Sequence, residues 1–198
     1  MKRSMDLLGS IIGILILALP LMLLSALVRW KLGSPVFFSQ ERPGLDGIPF
    51  RMYKFRTMTD SRDADGRLLP DAQRMTPLGR ALRVTSLDEL PELWNVVKGD
   101  MSLVGPRPLL MEYLGFYTDE EKLRHSVRPG ITGLAQINGR NTVTWNDRLA
   151  WDIRYVRAQT FTLDVKIIAI TIWKVFRRDG VVVVPSTQFK KLSEERSK

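Results

Sequence analysis

Residues 83–108 read RVTSLDELPELWNVVKGDMSLVGPRP, and the fold turns on how this stretch is parsed. Ser86 with Glu89 three residues later has the form of a capping box and predicts a helix starting there. Pro91 suits the first turn, where a missing N–H costs little. Leu90, Leu93, Trp94 and Val97 follow at helical spacing and predict one apolar face. Gly99 is expected to end the helix, and Gly105-Pro106-Arg107-Pro108 to make a stiff turn carrying a fixed positive charge. Asp88 and Glu89 then stand at a positive helix end, flanked by Arg83 and Arg107. An acidic pair in such a place is often only dipole stabilisation, worth roughly 0.3–1 kcal/mol. The flanking arginines give a second reading, in which the helix end keeps Asp88 ionised as a carboxylate nucleophile.

N-terminal to this stretch, residues 7–28 (LLGSIIGILILALPLMLLSALV) carry no charge. A straight helix of that length covers about 30 Å, enough for a bilayer. Pro20 interrupts the run, and proline inside a helix removes a hydrogen bond and bends the chain. Lys2 and Arg3 precede the segment and Arg29 and Lys31 follow it, so the charges favour neither orientation of a span. A bent helix that enters and leaves one face and a straight span both fit this pattern.

Next, Val36-Phe37-Phe38 and Phe50–Phe55 are expected as two short strands, with ERPGLDG as the turn. Alternation puts Arg51, Tyr53 and Phe55 on one face and Met52, Lys54 and Arg56 on the other, where Lys54 and Arg56 are placed to line a phosphate site. Residues 57–76 are polar and acidic and are expected as a mobile loop, with a short helix over 76–83. After Pro108 the chain reads as a helix and a turn. RPGITGLAQINGRNTVTW (128–145) is a glycine-rich loop whose N–H groups suit phosphate, with Arg140 as a two-oxygen clamp. Helices are expected over 147–160 and 161–178. The second has a wide apolar girth and a narrow polar stripe of Asp164, Thr171, Lys174 and Arg178, as in a deep core or at a membrane interface with Trp173 near head groups.

At 198 residues there is room for one core and a membrane element. The net charge of +9 favours acidic partners: phosphates, anionic lipid or nucleic acid. With no cysteine, disulfides, thiolate metal sites and thiol catalysis are excluded. The lone histidine, His125, excludes a multi-histidine site and is expected to be exposed or locally bonded. Any metal is expected to be a hard cation held by carboxylates and substrate phosphates, Mg²⁺.

Taken together, ERPG (41–44), YKFRTM (53–58), SLDELPELWNVVKGDMSLVGPRP (86–108) and RPGITGLAQINGRN (128–141) resemble the small monotopic phosphoglycosyl transferases, the PglC-like bacterial sugar transferases. The resemblance implies an α+β fold: a re-entrant membrane helix over 1–32, a catalytic domain over 33–184 with short strands and interfacial helices, and a disordered polar tail over 185–198. It implies transfer of a phospho-sugar from a UDP-sugar to a polyprenyl (undecaprenyl) phosphate with release of UMP, on the cytoplasmic face of the bacterial inner membrane. Asp88 matches the nucleophile that takes the phospho-sugar, and Glu89 its acid–base or orienting partner. Lys54, Arg83, Arg107 and Arg140 match basic positions of the family's site, with Arg128 beside them. Mg²⁺, held by Asp88, balances the diphosphate. The family's helix breaks at a Ser-Pro pair; here the pair is Leu19-Pro20, so the proline is kept and the serine hydroxyl is missing. A non-enzymatic, membrane-anchored basic module binding anionic lipid or nucleic acid is the alternative, but the basic residues are scattered and no base-stacking motif is present, so nucleic acid is not an expected partner. A two-carboxylate glycosidase fits less well, because adjacent helical residues point about 100° apart. Which sugar is used and the oligomeric state are not legible.

Overall fold

The computed structural model describes residues 1–139, 144–177 and 191–196. Two helices, α1 (Lys2–Ile16) and α2 (Ala18–Leu32), meet at Leu17 with a bend of 63°. Pro20 lies in the first turn of α2, so the carbonyl of Ile16, its partner in an unbroken helix, loses its donor and the axis turns there. No single described helix is long and apolar enough to cross a membrane; only the bent pair has the length and composition.

The strands β1 (Phe37–Pro43) and β2 (Pro49–Phe55) form an antiparallel hairpin in which Phe37 faces Phe55 and Pro43 faces Pro49. The first strand is longer than the sequence suggests, because Glu41, Arg42 and Pro43 pair before the chain turns. Residues 57–76, expected as a mobile loop, hold a Met58–Met75 bridge and a short helix α3 (Asp71–Arg74). Helix α4 (Pro77–Thr85) is capped by Thr76, whose hydroxyl accepts from the Gly79 N–H.

Here the structure departs from the capping-box reading. Ser86 makes no side-chain N-cap bond; it sits in the left-handed region (φ 57°, ψ 17°) and closes the C-terminal end of α4 with its backbone N–H. Leu87–Glu89 form a 3-10 turn, and α5 (Glu92–Lys98) starts only after Pro91. The Glu89 side chain bonds to Arg107 and Lys54 and not back to the Ser86 backbone. The buried face of α5 is Glu92, Asn95 and Val96, whereas Trp94 is exposed. Asn95 docks this helix on the hairpin: its amide donates to the Arg51 carbonyl (2.6 Å), and its carbonyl accepts the Tyr53 N–H (3.1 Å). The apolar side of α5 turns to the N-terminal helix pair, with Leu93 against Gly13 of α1.

A parallel pair, β3 (Ser102–Val104) and β4 (Gly130–Thr132), joins the two long motifs. Gly105 just after β3 lies so close to the Arg128 carbonyl and the Gly130 N–H that any Cβ would collide with them. Between these strands run a 3-10 segment Met111–Phe116, α6 (Asp119–Lys122) and a 3-10 turn Leu123–His125. Then come α7 (Leu134–Asn138), α8 (Trp145–Ala158), α9 (Phe161–Arg177) and α10 (Leu192–Arg196). Part of the segment expected as a disordered tail is thus helical, and Leu192 is buried beside Tyr113, Tyr117 and Leu149.

Helices α1 and α9 bury acidic or hydroxyl residues and expose many apolar ones, although α9 also buries Ile167. Helix α1 buries Asp6 and Ser10 while Leu8, Ile12, Leu15 and Ile16 are exposed; α9 buries Asp164 and exposes Val165, Ile172 and Trp173. The buried polar groups are all engaged. Asp6 accepts from the Ser102 hydroxyl and the Leu103 N–H, both at 3.0 Å. Lys2 pairs with Asp164 (2.6 Å) and donates to the Val104 carbonyl. Arg3 caps the carbonyl end of α5 through Val96 and Val97. The N-terminal charges therefore fasten α1 to the domain.

Candidate active site

Asp88 and Glu89, adjacent in sequence, have opposite fates. Glu89 is gripped on both oxygens by the Arg107 fork, and Lys54 Nζ donates to its Oε1 at 2.7 Å. Burial alone would raise the Glu89 carboxyl; Arg107 and Lys54 overcome this and hold it well below the usual carboxylate range. It is an ionised anchor tied to both cations. Arg107 is pushed up in turn by Glu89.

Asp88 is 7 % exposed, and its carboxylate makes no hydrogen bond or ion pair with the described residues. Burial and the neighbouring Glu89 charge push it up, against Lys54, Arg83 and Arg107, which pull it down. Burial and Glu89 prevail, so the Asp88 carboxyl stands above its ordinary value, with the three cations limiting the rise. Arg83, on the last turn of α4, is held by its Nε at 3.2 Å from the Thr57 hydroxyl.

Lys54, Arg83, Arg107, Asp88 and Glu89 are brought together as expected. Arg56 is not: its guanidinium binds Asp60 and the Ser34 and Met58 carbonyls. Nor is Arg128, whose Nε donates to the Gly99 carbonyl at the opposite end of α5. Arg140 lies outside the described residues.

The structure adds residues the sequence did not single out. Glu92, 1 % exposed, has Oε1 at 3.1 Å from Lys54 Nζ, and burial pushes its carboxyl up to about 7. Its place three residues after Glu89 was the available signal, masked because an acid in a first helical turn is ordinary. Arg42 on β1 comes near Arg107 and Glu92 and is lowered to about 10, by burial first and Arg107 second. Behind Arg107, a buried pair of Arg124 and Asp152 (2.8 Å) also donates to the Arg107 main-chain carbonyl at 2.7 Å. His125 beside them is buried, not exposed, and burial lowers it to about 4.

No group of three His, Asp or Glu residues able to cage a metal is found among the described residues. A hard divalent ion that shares substrate phosphates needs only one or two carboxylates. Asp88 has that chemistry and no competing partner, whereas Glu89 is spent on Arg107 and Lys54, so the donor set fits such an ion through Asp88.

A profile of the bacterial sugar transferase family matches residues 1–178. The chain is 53 % identical to the uncharacterized sugar transferase EpsL of Bacillus subtilis over 91 % of this chain and 90 % of that one. It is 41 % identical to the undecaprenyl-phosphate galactose phosphotransferase of Salmonella typhimurium, over 91 % of this chain and 41 % of that protein. It is 39 % identical to the UDP-glucose:undecaprenyl-phosphate glucose-1-phosphate transferase of Klebsiella pneumoniae, over 88 % and 40 %. The chain thus spans nearly all of the first relative and well under half of the other two. It belongs to the bacterial sugar transferase family.

Proposed function

We propose that this bacterial sugar transferase moves a phospho-sugar from a UDP-sugar to undecaprenyl phosphate, releasing UMP, through a covalent intermediate on Asp88. The observation that carries the reading is the contrast within the acidic pair: Glu89 is locked to Arg107 and Lys54, while the adjacent Asp88 carboxylate is uncommitted among the same cations.

In the first step an Asp88 oxygen attacks the phosphorus that bears the sugar; an acyl-phosphate bond forms, the diphosphate P–O bond breaks, and UMP leaves with the electron pair. In the second step a phosphate oxygen of the lipid attacks the same phosphorus, and the Asp88 carboxylate is the leaving group. A carboxylate and a diphosphate repel each other, so cations must offset that repulsion in a partly desolvated site. Arg107 and Lys54 are preorganised by Glu89, and Arg83 faces Asp88 from α4. Bound Mg²⁺ would supply further charge neutralisation on the diphosphate, with Asp88 as its protein ligand. Glu89 acts as an orienting group, because an acid held so low and so fully bonded is a poor proton acceptor.

One half-reaction with a soluble donor and one with a lipid acceptor, at a single nucleophile, require the site to lie at a membrane edge. The bent α1–α2 pair supports a re-entrant segment, as does the inverted burial of α1 and α9, which present apolar side chains outward. Both termini would then face the cytoplasm on the inner membrane. A panel of UDP-sugars with undecaprenyl phosphate should identify a donor that yields UMP, and Asp88→Asn should reduce transfer to background. Near-normal transfer by Asp88→Asn would refute the assignment.

A further inference from the structure

Lys54 stands between two acids and is closer to one of them. Its Nζ donates to Glu89 Oε1 at 2.7 Å and lies 3.1 Å from Glu92 Oε1, at an angle that makes an ion pair and no hydrogen bond. Among the described residues both Glu92 oxygens are buried, and beyond the Lys54 contact neither meets a hydrogen-bond donor. The charged groups facing Glu92 are Lys54 from β2, Glu89 from the 3-10 turn, Arg107 from the loop after β3 and Arg42 from β1. The Arg107 fork is already closed on Glu89. Among the described residues, Lys54 is thus the one cation within ion-pair distance of Glu92.

We infer that Glu92 is a positioning residue that competes with the donor's diphosphate for Lys54, so that donor binding is coupled to the uptake of one proton by the Glu92 carboxyl. The inference rests on the reading of this site as the UDP-sugar site. A buried carboxylate without hydrogen-bond donors stays charged only while a cation compensates it. A diphosphate arriving at Lys54 and Arg107 draws on the same positive charge and adds negative charge nearby. Both effects favour protonated Glu92, the proton coming from solvent. The starting point suits neutral pH, because burial has already brought the Glu92 carboxyl to about 7, with Glu89 adding to the rise and Lys54 and Arg107 opposing it. Binding raises it further. The sign follows: the donor binds best with Glu92 protonated, and its affinity falls as pH rises above the free-protein value. One proton sets the ceiling at about tenfold per pH unit.

The experiment uses the full chain in nanodiscs and a non-transferable methylene-phosphonate analogue of the donor, which does not itself titrate near neutrality. Calorimetry in two buffers of different ionisation enthalpy reads the protons taken up. The expected result at pH 7 is uptake of a substantial fraction of one proton by the unmodified protein and almost none by Glu92→Gln. In turnover assays the donor KM should climb with pH in the unmodified protein and stay flat in Glu92→Gln, with kcat changing less. No uptake in the unmodified protein, or equal uptake in the variant, would overturn the inference while leaving the transferase reading intact. If Glu92→Gln fails to fold, the proton count on the unmodified protein decides alone. Absence of both analogue binding and UMP release would instead defeat the transferase reading, and this inference with it.

Discussion

Replacing Asp152 tests how the site is supported from behind. Arg124 and Asp152 are 1 % and 2 % exposed, joined by Arg124 Nη2 (2.8 Å) and Nε (3.1 Å) to one carboxylate oxygen. The same Nη2 donates to the Arg107 carbonyl at 2.7 Å, and Nη1 reaches the Tyr117 hydroxyl at 3.4 Å. Asp152→Ala strands a guanidinium in the interior, and removing one partner of such a pair costs about 3–5 kcal/mol. For a chain of this size each kcal/mol lowers Tm by about 2–4 °C, so a fall of about 6–20 °C is expected. The companion variant Arg124→Met with Asp152→Leu removes both charges and fills the space. Its stability should return to within about 1–3 kcal/mol of the parent, the remainder reflecting the Arg107 carbonyl left without a donor. Activity should not return, because Arg107 is no longer held, and a displacement of about 1 Å at a reacting site costs on the order of 10²-fold. Thermal unfolding in detergent and UMP release read the two effects separately. A Tm change under about 2 °C for Asp152→Ala, or full transfer by the double variant, would refute the idea that this pair holds Arg107 in place.

Three further outcomes follow from named contacts. Ser86→Val places a β-branched residue in the left-handed region and should cost about 1–2 kcal/mol, while Ser86→Gly should be tolerated; urea unfolding of the two compares them. Asp6→Leu removes the acceptor of the Ser102 hydroxyl and Leu103 N–H and should destabilise by about 1–3 kcal/mol despite being more apolar, as a melt in the same detergent would show. His125 is lowered from 6.5 to about 4, so between these values the unfolded chain binds a proton that the folded chain refuses. Stability from this residue is present above pH 6.5 and is lost as pH falls towards 4, by at most about 3 kcal/mol, and His125→Gln should flatten that limb of a Tm–pH curve.

The elements with strong local signals were legible. The break at Pro20, the hairpin, α4, α8 and α9 all follow from proline, turn residues and periodicity. The start of the central helix was not, because Ser86 has the composition of a cap residue but adopts a left-handed conformation that closes the preceding helix. The buried face of α5 was misread for a related reason. Periodicity identifies the apolar side, but here that side meets α1 and the polar Asn95 and Glu92 turn inward to serve the hairpin and Lys54. The central cluster of the site was readable from charge types around residues 83–108. That Arg56 and Arg128 bond away from Asp88 could not be read in advance, because which arginine reaches Asp88 depends on long-range contacts that no spacing encodes.

Incubation of the purified protein with its UDP-sugar and no lipid acceptor, followed by intact-mass and peptide analysis, tests the central claim most directly. A covalent phospho-sugar on residue 88, formed in proportion to UMP, is the expected result. UMP that forms only when acceptor is present, with residue 88 unmodified throughout, would contradict it.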